Sequence, residues 1–211
     1  VVAPVVLPDG ARYYCAMDYG LDMLAALFIA VLPDGRAYVY DEIYESGLIV
    51  SMAAEKFAAK LRQDMTVIAP ADLWSRSKDS GRSISELFSE GGVYLTKITP
   101  DRIDGWLALK EWLADADGAP RLRIFQNCAN IIRTLPLLLY DPKRHGDAAT
   151  EPHEITHAPD ALRYFAIGWN RPTDPPEPIK VKYREDILED YLNATEEERQ
   201  LIIARYGIPD I

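Results

Sequence analysis

The stretch RYYCAMDYGLDMLAALFIAVLPDGRAYVYDE, residues 12–42, decides the fold. It breaks into three apolar runs. Arg12 to Asp18 is rich in aromatic and apolar residues. Leu24 to Leu32 is continuously apolar, in the manner of a buried strand, and Arg36 to Glu42 alternates. Between the last two stands Pro33-Asp34-Gly35. There the proline fixes φ and the glycine supplies a positive φ, which is a strong hairpin signal. The reading is an antiparallel three-strand meander.

Downstream the period changes. Val50, Ala54, Phe57 and Leu61 recur at helical spacing and predict a helix from about residue 50 to 63. Met65 to Ala69 reads as a short buried strand. Ser83 and Glu86 form a capping box at the head of a short helix that Gly91-Gly92 ends. Val93 to Lys97 follows as a strand. Thr99-Pro100 offers an N-cap and a proline at the first helical position, predicting a helix to about Ala114. Its apolar side would carry Ile103, Trp106, Leu107 and Leu113. Arg121 to Phe125 reads as a strand, Cys128 to Leu135 as a helix and Ala158 to Trp169 as another. The order βββ-α-β-α-β-α-β-α predicts an α/β domain over residues 1–170. Its mixed sheet, an antiparallel meander plus parallel strands, would be flanked by helices on both faces in the RNase H-like arrangement.

From Arg171 the composition shifts. RPTDPPEP cannot continue a helix and predicts a semi-rigid, Pro-rich linker over residues 171–184. Residues 185–211 read as a helical tail, with Thr195 and Glu198 as a capping box and Gly207 as a C-cap.

The chain has 211 residues, enough to bury roughly 70% of its unfolded surface without disulfides or structural metal. With 23 Lys and Arg against 33 Asp and Glu, the formal charge is −10. That excludes a strongly basic DNA-coating protein but not a nucleic-acid enzyme, because a site built on metal ions needs carboxylates. Cys15 and Cys128 form no CxxC pair and sit in apolar segments, so they read as buried free thiols. Leu21 to Leu32 is too short to span a bilayer and is interrupted by Asp22. Val1 to Pro8 lacks the basic start and apolar core of a signal peptide. The missing initiator Met suggests a fragment of a longer chain.

The sequence has no P-loop, no GxGxxG after a strand, no GxSxG elbow and no HExxH. His153 and His157 are spaced i, i+4, but Pro152 and Pro159 crowd them, and they read as surface or positioning residues rather than zinc ligands. What remains is carboxylates at element ends. Asp18 closes the first strand, Asp72 follows the strand TVIA, and Asp160 begins an apolar helix. Singly, each reads as a turn former or an acid favoured at a helix start. Together, in this element order, they would gather beyond the strand ends where the strand order switches. Three carboxylates there suit hard cations, Mg²⁺ or Mn²⁺. Trp74, Trp106, Trp112 and Trp169 read as packing residues rather than base-stacking platforms.

Three segments carry a more specific resemblance: AMDYGLDMLAALFIAVLPDGRAYVYDEIY (16–44), VIAPADLWSRSKDSGRSISELF (67–88) and HAPDALRYFAIG (157–168). Over roughly residues 11–170 the sequence resembles the nuclease domain of the large terminase subunit of tailed bacteriophages. The resemblance implies an endonuclease that cuts concatemeric double-stranded DNA during genome packaging, by phosphodiester hydrolysis with two Mg²⁺ or Mn²⁺ ions. It implies that Asp18 bridges both ions and that Asp160 holds one. The middle acid departs from the pattern. Related domains commonly read ADPxxW, whereas this chain reads APADLW, with Pro70 at the acidic position and the carboxylate displaced to Asp72. Thr156 stands where relatives often carry an acid. Glu42 and His157 are possible auxiliaries of the site, Asp22 a possible group just outside the metal ligands, and Arg163 a partner for a site carboxylate. Arg76, Lys78 and Arg82 form a basic cluster that could meet DNA phosphates. The resemblance further implies an ATPase domain in the same longer chain, a small terminase subunit and a portal protein as partners. It implies no membrane, and the cytoplasm of a bacterial host as location. Two other readings remain open. One is a catalytically degenerate RNase H-like docking module of the packaging motor, and the other a branched-DNA resolvase.

Overall fold

The structure is a computed structural model that describes residues 1–20, 22–99, 101–114, 118–169, 180, 181, 183, 185–206, 208 and 209. The chain divides into two compact units, residues 1–169 and 170–211.

The first unit is built on one six-stranded sheet. Its strands are β1 (Arg12–Tyr19), β2 (Met23–Val31), β3 (Ala37–Ser46), β4 (Thr66–Pro70), β5 (Leu95–Ile98) and β6 (Leu122–Ile124), in the spatial order β5-β4-β1-β2-β3-β6. β1, β2 and β3 pair antiparallel, while β4 beside β1, β5 beside β4 and β6 beside β3 run parallel. Gly35 takes φ +83° in the β2–β3 turn, a conformation a side chain resists. β3 runs four residues past the expected Glu42, to Ser46, with a bulge opposite Phe28 and Ile29.

Alternation along the strands makes two cores. Tyr14, Ala16, Leu27, Ile29 and Ile68 face one side, with Trp106, Trp112, Ile131, Leu162 and Phe165 from α3 (Arg102–Leu113), α4 (Ala129–Thr134) and α5 (His157–Gly168). Cys15, Met17, Phe28 and Val67 face the other, against Phe57 of α1 (Val50–Ala58) and Phe88 of α2 (Ile84–Glu90). The central strand β2 is buried from Leu24 onward, which explains its unbroken apolar run. Cys15 and Cys128 are buried free thiols.

Three expectations about helices need correction. The first helix ends at Ala58, not near residue 63; Lys60 N–H turns back to the Phe57 carbonyl, closing the last turn early. α3 starts at Arg102 rather than at Thr99-Pro100. The Asp101 carboxylate accepts from the Ile103 and Asp104 N–H groups, a stronger cap than the threonine upstream. The buried face of α3 is Gly105, Trp106, Leu109 and Trp112, whereas Ile103, Leu107 and Leu113 are exposed. The α3 face is set by Gly105, because only a residue without a side chain can lie against the buried Arg163. The Ser83–Glu86 capping box forms as expected, with both reciprocal bonds present.

In the second unit α6 (Glu185–Asn193) and α7 (Glu196–Tyr206) are separate helices, and the two-residue strands β7 (Lys180–Val181) and β8 (Ile208–Pro209) pair in parallel. Thr195 and Glu198 cap α7 reciprocally. Most of the linker read over 171–184, and Gly207, lie outside the described residues. Among the described residues no helix is long and apolar enough to cross a membrane.

Candidate metal centre

The strand order reverses at β1. The chain runs outward through β2 and β3, then returns to place β4 on the other flank of β1. β1 and β4 are parallel, with Ala16 opposite Ile68, so their C-terminal ends open at the same edge. Crevices of this kind collect ligands in α/β sheets. Asp18 lies two residues beyond Ala16, on the face that packs against α5. Two residues beyond Ile68, the corresponding position is Pro70. Asp72 sits past the strand end on a three-ten turn, Ala71–Trp74, and is exposed.

α5 supplies the opposite wall. His157 opens the helix and is buried, and its Nδ1 lies 2.8 Å from Asp18 Oδ2. Asp160 follows one turn later and is also buried. Its Oδ1 accepts from Arg163 Nε at 2.9 Å and pairs with Arg102 Nη1 at 3.3 Å. Burial raises the Asp18 carboxyl above the ordinary range. The hydrogen bond from His157 opposes that rise, and the nearby charges of Asp160 and Asp72 add to it. His157 in turn is raised, first by that bond to Asp18. Tyr164 is raised by burial and then by the charges of Asp18 and Asp160. The three acids thus share one electrostatic neighbourhood, although their oxygens do not lie within 4.8 Å of one another as a trio. Among the described residues the trio that does is Asp22, His153 and His157. The spread has visible causes: Asp160 Oδ1 is drawn to two arginines, and Asp72 stands beyond Pro70.

Sequence reading missed the support behind Asp160. Arg102 bridges Asp160 and the buried Asp147, whose carboxylate also accepts from Trp106 Nε1 at 2.9 Å and from the Ala148 N–H at 2.8 Å. Burial would raise Asp147; the bonds from Arg102 and Trp106 outweigh it and hold the carboxyl below the usual range. Arg163 pairs with Asp160, and its guanidinium packs over Tyr164 and Trp106. Asp147 sits in the polar run KRHGDAAT, where only proximity in space reveals it.

The remaining sequence candidates are occupied elsewhere. Glu42 accepts from the Asn130 and Ile131 N–H groups and so caps α4. Arg76 pairs with Glu86 at 2.9 Å and Arg82 pairs with Glu90, on an exposed loop that also carries Lys78. Trp106 and Trp112 are buried, and Trp74 and Trp169 pack against the cores.

No family model matches the sequence, and no curated protein matches it. Solved structures do match in fold. The nuclease domain of the phage P22 large terminase aligns with a TM-score of 0.61 at 16% identity, over 78% of this chain and 84% of that one. The nuclease domain of the bacteriophage SPP1 large terminase, g2p, solved with bound Mn, aligns with a TM-score of 0.53 at 21% identity, over 76% of this chain and 88% of that one. The meander, the switch at β1 and the closing helix α5 therefore assemble, in this chain, the RNase H-like fold of phage large-terminase nuclease domains.

Proposed function

We propose that the domain is a metal-dependent DNA endonuclease of a genome-packaging motor, with Asp18, Asp72 and Asp160 holding Mg²⁺ or Mn²⁺. The observation that supports this reading is the fold shared with phage large-terminase nuclease domains, with Asp18 at the strand-order switch held by His157 at the head of α5, the helix that carries Asp160. Three carboxylates form an all-oxygen donor set, which fits a hard divalent cation. Bound there, two such ions would supply a water of lowered pKa and a charge to stabilise the leaving 3′ oxygen.

The chain's own residues prepare that chemistry. Asp18 projects from the end of a buried strand and is held in orientation by His157. Arg102 and Arg163 fix Asp160 through Oδ1. The 211-residue chain carries a net charge of −10, which repels DNA, so cations at the carboxylates would both neutralise the site and admit the phosphate. The exposed loop with Arg76, Lys78 and Arg82 meets backbone phosphates once its arginines leave Glu86 and Glu90. Double-stranded viral DNA is then the substrate. An ATPase domain of the same longer chain, a small terminase subunit and a portal protein are the partners, in the cytoplasm of a bacterial host.

One observation favours a second reading, a degenerate docking module: Pro70 occupies the position level with Asp18 where a carboxylate would face the same side. Plasmid nicking in Mn²⁺ separates the two. The endonuclease reading expects cleavage that chelator stops and that Asp18→Asn and Asp160→Asn each abolish. Absence of metal-dependent cleavage in the wild type favours the docking module.

A further inference from the structure

Asp22 stands in the connection between β1 and β2, His153 in a three-ten turn, His153–Ile155, and His157 at the head of α5. Their ligand-capable atoms lie within 4.8 Å of one another. His153 Nδ1 is 3.0 Å and His157 Nε2 3.3 Å from the same oxygen, Asp22 Oδ2. His157 Nδ1 is already committed to Asp18. With Nδ1 donating to Asp18, the neutral form of the ring turns its Nε2 lone pair toward Asp22, where it is free to meet a metal. A proton on Nε2 satisfies that contact alone, whereas a divalent cation would engage Nε2, the Asp22 carboxylate and His153 Nδ1 together, all of which lie within reach of one ion. A carboxylate holding one imidazole nitrogen while the other meets a metal is the usual way a histidine ligand is oriented.

The surroundings keep the three donors in place. Tyr44 Oη donates to the Glu154 carbonyl at 2.7 Å and Thr156 Oγ1 to the His153 carbonyl at 3.0 Å, fixing the turn that carries His153. A Cβ at residue 20 would lie 2.8 Å from Asp22 Oδ1, so Gly20 is what gives that carboxylate its room. Asp22 and His153 are more than half exposed, which leaves an ion a way in, while His157 is buried.

We propose that Asp22, His153 and His157 Nε2 form a site for one zinc-like divalent cation, joined to the carboxylate centre through the Asp18–His157 hydrogen bond. Two imidazoles and one carboxylate, with water completing the shell, are the donor set of Zn²⁺ or Co²⁺ rather than Mg²⁺. The ion would tie the β1–β2 connection to α5 and hold His157 in the tautomer that donates to Asp18. This assignment goes beyond the nuclease reading and requires no DNA cleavage.

Co²⁺ titration of the full 211-residue chain, stripped with chelator, tests it without DNA. The wild type should take up one Co²⁺ with the intense visible absorption of a four-coordinate ion, which Zn²⁺ then displaces. His153→Gln and Asp22→Asn should each weaken that binding more than tenfold with an unchanged circular dichroism spectrum. Asp160→Asn should retain it. The proposal is overturned if the wild type gives no such band, if the His153 and Asp22 variants bind as the wild type does, or if Asp160→Asn abolishes the band.

Discussion

His157 Nδ1 lies 2.8 Å from Asp18 Oδ2, joining residues 139 apart in sequence at the point where the last helix of the domain meets its first strand. The bond gives Asp18 a fixed orientation within a largely buried pocket. His157→Ala removes the donor and leaves the acid. The initial rate of Mn²⁺-dependent plasmid nicking should fall about 10–100-fold, the usual cost of losing a group that orients a metal ligand. His157→Asn, which restores an N–H donor, should recover part of the loss. A wild-type rate in both variants would remove His157 from the account.

Gly105 is the point where α3 passes Arg163. A Cβ there would come within 2.6 Å of Arg163 Cγ and 2.9 Å of Cδ, both in the buried stem of the side chain. The helix propensity gained by Gly105→Ala, about 0.5–1 kcal/mol, is smaller than the strain of an overpacked core, about 1–3 kcal/mol. Urea denaturation should report a net loss of stability, and cleavage should fall because Arg163 no longer holds Asp160 in place. A stabilised protein would contradict the packing.

Asp147 gives a pH dependence whose sign is fixed. Its carboxyl lies below the usual range in the folded chain, so the unfolded chain, near ~3.9, binds the proton more readily. The stabilisation is present above the unfolded value and is lost as pH falls through the folded one. Asp147→Asn should cost about 1.5–3 kcal/mol at pH 6, the range for hydrogen bonds to a charged group. That margin should narrow when urea melts are repeated near pH 3. A margin independent of pH would show that the charge of Asp147 is immaterial.

The displaced middle acid can be tested by moving it back. Asp72→Ala should abolish cleavage if the carboxylate reaches a metal from its three-ten turn. Pro70→Asp in that background puts an acid level with Asp18 and should restore activity. Cleavage by the Asp72→Ala protein at the wild-type rate would take Asp72 out of the site.

The meander was legible because its three apolar runs and the Pro33-Asp34-Gly35 turn are local signals, and local signals fix pairing between neighbours in sequence. The Ser83–Glu86 box was legible for the same reason. The face of α3 was not. Leucines and tryptophans surround that helix, and the phase is chosen by Gly105 against Arg163, a contact 58 residues away. Asp18 and Asp160 were legible as acids at element ends. The Arg102–Asp147 support of Asp160, and the approach of His153 to Asp22 across 131 residues, exist only once the sheet and α5 are assembled. Glu42 looked like a site acid from its place at a strand end, but the start of α4 takes both of its oxygens.

The most direct test of the central claim is to soak crystals of the domain in Mn²⁺ and locate the metal by anomalous scattering at the manganese edge. Manganese coordinated by oxygens of both Asp18 and Asp160, at about 2.1 Å, is the expected result. Manganese bound away from both aspartates, or none bound at all, would contradict it.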